Sequence, residues 1–106
     1  MICGLREYRI RKGMRDAWVR LMDETIIPFQ RRMGMRVEGS FVARDDPDLY
    51  IWIRSFADEA ERKRLYDDVY GSAHWREKIR PAMGDMLIRE EKRELVMTPT
   101  AASPIR

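Results

Sequence analysis

Leu49-Tyr50-Ile51-Trp52-Ile53 is the stretch that decides the fold. It is β-branched, aromatic and apolar at both parities, and Asp45-Asp46-Pro47-Asp48 supplies turn chemistry just before it. This composition predicts a strand whose two faces are both covered. Upstream, Val37, Gly39, Phe41 and Ala43 share one parity within 36–44, so the two segments read as a hairpin. Further back, Met14, Ala17, Trp18, Leu21, Met22, Ile26, Phe29 and Met33 recur at the helical period. Pro28 inside that stripe predicts a kink, and Gly34 an end. The first segment, 2–10, mixes apolar and charged residues in rough alternation and closes at Lys12-Gly13, which reads as a strand and its turn.

Downstream, Ser55 followed by Asp58 predicts a capped helix start, with a stripe of Ala57, Leu65, Tyr66, Val69 and Tyr70. The charge run 58–64 reads as its solvated face, with Asp58/Arg62 and Glu59/Lys63 four apart and the acid first. Gly71 stops that helix, Ser72 caps a short third one running through Lys78 or Ile79, and Pro81 limits it. A last strand is expected over 90–98. The domain is therefore 1–98, followed by a tail, 99–106. Strand, helix, strand, strand, helix, short helix, strand is the ferredoxin-like α+β order: βαββαβ, a four-stranded antiparallel sheet with helices on one face. The helices cover one face of the central strand, and a second copy of the sheet is the simplest cover for the other.

The chain has 106 residues, room for one domain, and its 44% hydrophobic content rules out a disordered chain. Its 21 basic residues, all but four of them Arg, are interleaved with 18 acids. A net charge of +3 spread in this way argues against a nucleic-acid partner. No run is long and apolar enough to span a membrane and no apolar leader opens the chain, so a cytoplasmic protein with no membrane partner is expected. One cysteine, Cys3, and one histidine, His74, exclude an internal disulfide and a zinc cage of the usual kind. No phosphate-binding glycine loop, nucleophile elbow or metal motif occurs.

Gly4-Leu5-Arg6-Glu7-Tyr8-Arg9-Ile10, Pro28-Phe29-Gln30-Arg31-Arg32-Met33-Gly34, Val37-Glu38-Gly39-Ser40-Phe41, Ile51-Trp52-Ile53-Arg54-Ser55-Phe56 and Ser103-Pro104-Ile105-Arg106, in this order and spacing, resemble the NIPSNAP family. The resemblance implies a dimeric α/β barrel, two ferredoxin-like subunits packed sheet to sheet, and a homodimer. The superfamily it implies includes cofactor-free monooxygenases, haem-degrading monooxygenases, isomerases and cyclases of small aromatic or polyketide molecules, and members without assigned chemistry. The haem-degrading branch resembles an Asn, Trp and His constellation. This chain has no asparagine, and its His74 falls in the first turn of its helix, so haem chemistry is not expected.

His74 is the side chain whose ordinary pKa lies nearest neutrality, which makes it the first candidate for proton transfer. Arg6 and Tyr8 share a parity on the first strand, and Tyr50, Trp52 and Arg54 share one on the third. If those faces coincide, they form an aromatic wall edged by guanidinium groups, suited to a flat organic anion. The candidate catalytic residues are His74 and Tyr8. The candidate substrate contacts are Arg6, Tyr50, Trp52, Arg54 and Trp75. Core packing is the competing reading for all the aromatics, and the one adopted for Trp18, Tyr66 and Tyr70. The expected function is a small-molecule enzyme of cofactor-free monooxygenase, isomerase or cyclase type. A non-catalytic dimeric binding module is the alternative.

Overall fold

A computed structural model describes all residues, Met1–Arg106. The first strand, β1, spans Ile2–Ile10. Helix α1 runs through Arg15–Leu21, Met22–Ile26 and Ile27–Arg32, followed by β2 at Arg36–Val42 and β3 at Leu49–Phe56. Helix α2 is Glu59–Tyr70, α3 joins Trp75–Ile79 to Arg80–Met83, and β4 is Leu87–Met97. All strand pairs are antiparallel in the order β2-β3-β1-β4, the ferredoxin-like sheet.

Both prolines inside helical stripes are absorbed without breaking the helix. Before Pro28 the Ile27 N–H donates to the Met22 carbonyl, and before Pro81 the Arg80 N–H donates to the Trp75 carbonyl, each reaching five residues back instead of four. Such a widened turn removes the clash between a proline ring and the carbonyl four residues earlier. Pro81 therefore does not end α3, which runs on to Met83 before Gly84, at φ +52, turns the chain toward β4.

Helix α2 starts three residues later than expected. Ser55 belongs to β3, buried opposite Cys3 and Arg36. Asp58 is the cap: its Oδ1 accepts from the Glu61 N–H at 2.8 Å, while the Glu61 carboxylate accepts from the Ala57 N–H. In β2 the pairing register shifts between Val37 and Gly39, so one residue is inserted at Glu38. The bulge turns Val37 toward the helices while Phe41 stays on the other side, which splits the shared parity read from the sequence.

Alternation fixes the two faces of the sheet. Tyr8 pairs with Tyr50 and Arg6 with Trp52, and these residues, with Ile10, Arg54 and Phe56, face the helices. A core of 15 buried residues forms there, with Trp18, Met22 and Ile26 of α1 and Leu65 and Val69 of α2. The opposite face carries Leu5 and Ile51, with Ile53 beside Leu5, Leu95 across from Leu5 and Phe41 across from Ile51. No helix of the chain is long and apolar enough to cross a membrane.

Candidate functional site

The covered face of the sheet and the helices enclose a cavity of about 300 Å³, near the lower end of the range for small-molecule sites. Arg6, Tyr8 and Trp52 form its floor. Trp18, Met22 and Ile26 of α1 and Trp75, Arg80 and Met83 of α3 form its roof. Both widened helical turns thus supply cavity residues, Met22 and Ile26 from one and Trp75 from the other. Single widened turns of this type are frequent at functional sites.

The polar groups reaching the cavity are hydrogen-bond donors. Trp52 Nε1–H donates to the Tyr8 hydroxyl at 3.1 Å. Burial is the largest cause pushing the Tyr8 pKa up, and nearby Tyr70 adds to it, against smaller opposing effects of Arg6 and Arg54. Tyr8 is thus a neutral phenol at physiological pH. Trp18 is 1% exposed, and its Nε1–H has no partner within the protein. A buried indole donor left unpaired is costly unless something outside the chain accepts from it.

Tyr70 is oriented from behind. Its oxygen accepts from Arg54 Nη1 at 2.8 Å and from Gln30 Nε2 at 3.2 Å. With two N–H groups on that oxygen, the Tyr70 proton is left to be donated elsewhere, and Tyr70 lines the cavity. Arg54 is 1% exposed and touches no carboxylate. Its guanidinium donates to Gln30 Oε1 at 2.9 Å and the Tyr66 hydroxyl at 2.9 Å, and lies 4.2 Å from the Trp52 ring centroid. Arg54 is therefore not in the cavity wall; it stands one layer behind and holds Tyr70.

Four cationic side chains, Arg6, Arg80, Arg89 and Lys92, line the cavity, and no carboxylate does. Arg6 Nε lies 2.6 Å from Glu94 Oε2, outside the lining. Burial would raise the Glu94 pKa, but Arg6 and Arg62 outweigh it and hold the carboxyl below the usual range. Lys92 Nζ is 5.6 Å from the Tyr8 ring centroid. Burial, then Arg6, Arg89 and Arg80, lower its pKa.

Of the residues singled out in the sequence, Arg6, Tyr8, Trp52 and Trp75 meet in this cavity. Tyr50 lies beside it in the core, stacked 6.1 Å from Tyr8 and bonded through its hydroxyl to Ser40, with its pKa pushed up to about 12 by burial. His74 does not line the cavity: it is exposed, 4.8 Å from the Phe29 ring. The first turn of α3 directs it to solvent. Trp18 and Tyr70, read as core, are both core and cavity wall. Arg80, Arg89 and Lys92 are not among the residues singled out; Lys92 is in phase with Glu94 and Arg89 with Leu87, and a bulge between them, where β1 advances two residues and β4 five, puts both phases on one face. No group of three or more His, Cys, Asp or Glu is placed to hold a metal ion.

The ferredoxin-like fold of the chain is shared with a solved antibiotic biosynthesis monooxygenase. That structure is 17% identical, with a TM-score of 0.69 over 94% of this chain and 99% of its own. The NIPSNAP sequence profile matches residues 3–104, and the chain belongs to the NIPSNAP family. A NIPSNAP family protein from Agrobacterium tumefaciens is 25% identical, with a TM-score of 0.87 covering 99% of this chain and 98% of the other. An uncharacterized NIPSNAP-like domain protein from Burkholderia xenovorans is 21% identical, with a TM-score of 0.87 over 97% of this chain and 88% of its own. No curated protein matches the chain.

Proposed function

We propose that the protein is a small-molecule enzyme that binds a flat aromatic or polyketide-like compound with an acidic oxygen and transforms it without a cofactor. The observation that carries this reading is the polarity of the cavity: donors and cations line it, and no carboxylate does. An enol, phenol or carboxylate placed there satisfies the Trp18 N–H and the Tyr70 O–H, and the cations favour its ionised form. The resulting enolate or phenolate is the electron-rich species that isomerises, cyclises or reacts with dioxygen. The aromatic floor and Met22 hold its apolar body and exclude water.

The same proposal assigns the opposite face to a second copy of the chain, packed sheet to sheet through Leu5, Ile51, Ile53, Phe41 and Leu95. These residues make a contiguous apolar surface, and Phe41 is 55% and Leu95 47% exposed in the single chain. A self-complementary face of this kind suits a twofold dimer.

A thermal-shift screen of hydroxynaphthoates, naphthoates and polyketide-like phenols tests the site. Binding to the native state alone raises its melting temperature. Anionic members should stabilise the wild type, and Tyr70→Phe, which keeps the ring but removes the donor, should lose much of the shift. Product analysis of the binders in air separates an enzyme from a binding module. A screen in which no acid shifts the protein would overturn the reading.

A further inference from the structure

Lys92 differs from every other group in the cavity. The three arginines there cannot give up their charge, since guanidinium stays protonated in proteins. An amine can. In phase with Glu94 on β4, Lys92 lies over the Tyr8 ring, at 5.6 Å, in a wall that also holds Arg6, Arg80 and Arg89. The titratable neighbours around it are Arg6 and Tyr8 from β1, Tyr70 from α2, Arg80 from α3 and Arg89 from β4 itself. Lys92 also borders a surface depression together with Glu7, Glu90 and Glu91, none of which pairs with it. None of the ion pairs in the structure includes Lys92, while its neighbour Arg93 pairs with Glu7 at 3.8 Å.

We propose that Lys92 is a nucleophilic amine that captures carbonyl compounds carrying an acidic group, held by Arg6, Arg80 and Arg89. The proposal rests on the reading of this cavity as a small-molecule site and extends it to a covalent step. A lysine placed among cations, with no carboxylate in ion-pair contact to hold its proton, is the arrangement that activates an amine. The downward pKa shift caused by burial and the three arginines agrees with it. The Nζ lone pair forms a bond to the carbonyl carbon, and one proton of the amine passes through water to the carbonyl oxygen to give a neutral carbinolamine. A second proton, taken from solvent, converts that hydroxyl to water, which leaves with the C–O electron pair, and the product is a protonated imine on Nζ. No electron is gained or lost. The imine then withdraws electrons from the adjacent carbon, which makes a neighbouring C–H acidic or a neighbouring carboxylate labile.

The test uses 4-carboxybenzaldehyde with cyanoborohydride, which reduces an imine to a stable secondary amine, followed by peptide mapping. The chain has only Lys12, Lys63 and Lys78 for comparison. Lys92 should be modified about tenfold faster than those three at neutral pH, with its rate rising at lower pH than theirs. Neutral benzaldehyde should show far less preference, and Lys92→Arg, which keeps the charge, should abolish the fast phase. Equal labelling of all four lysines would overturn the proposal. Protection by 2-naphthoate separates the two ideas. If 2-naphthoate raises the melting temperature but Lys92 labels no faster than Lys12, the covalent role falls and the site stands; if it neither stabilises nor protects, both fall.

Discussion

The two faces of one sheet have opposite chemistry. Toward the helices, β1 and β3 present Arg6, Tyr8, Trp52 and Arg54, each fixed by a hydrogen bond, ion pair or ring contact. Away from them, the same strands present Leu5, Ile51 and Ile53, with Glu7 beside Ile51 the charged exception, paired to Arg93. A one-residue alternation separates the face to which a ligand is assigned under the proposed function from the face assigned to a second copy. The difference teaches that specific polar geometry and bulk apolar area are set by the same strands, so a variant can damage one job while sparing the other.

The largest effect is expected on the uncovered face. If the proposed sheet-to-sheet dimer forms, Ile53→Lys places an unpaired charge in its contact, at a cost of about 3–5 kcal/mol, or roughly a thousandfold in dimer dissociation. Sedimentation equilibrium checks it, and a monomeric wild type would break the comparison at its root. On the covered face, Trp52→Ala should lower folding stability by about 3–5 kcal/mol through the cavity it leaves. Trp52→Phe should cost much less while removing the donor to Tyr8, and urea melts of both variants read the difference.

Smaller effects sharpen the covered face. Arg6→Met should weaken 2-naphthoate by about 1.5–3 kcal/mol and 2-naphthamide far less, measured by titration calorimetry. Glu94 titrates below the usual carboxylate range when folded, so its contribution is complete above about pH 4.3 and is lost as pH falls through the folded value. Because the pair is partly in water, the loss should stay under about 1 kcal/mol, and Glu94→Gln should flatten the acid limb of the urea midpoint. The smallest effect belongs to His74→Gln. Outside the cavity, it should change ligand affinity and turnover by less than about 0.5 kcal/mol in free-energy terms.

The parts of the fold set by local rules were legible in the residues. The doubly apolar run at Leu49 to Ile53, the parity of Arg6 and Tyr8 and the period from Met14 to Met33 each follow from one element's own geometry. What stayed hidden depends on insertions into those periods. The widened turns before Pro28 and Pro81, the β2 bulge at Glu38 and the longer β4 bulge re-aim side chains without any change in composition. That last bulge switches the phase of β4, so that Arg89, in step with Leu87, and Lys92, in step with Glu94, both face the cavity. Arg54 was legible as important but not as a supporting residue, since its partners Gln30, Tyr66 and Tyr70 come from two separate helices. His74 was singled out by its chemistry alone, and helix phase decides its place.

The most direct measurement is a crystal structure of the protein with a bound aromatic acid taken from the thermal-shift screen. The account predicts the ligand between Tyr8, Trp52 and Trp18, with an acidic oxygen within hydrogen-bond distance of the Tyr70 hydroxyl and the Trp18 indole nitrogen, and the Leu5–Ile53 face buried against a second copy. A ligand seated on that open face, or an aromatic acid whose oxygens avoid both donors, would contradict it.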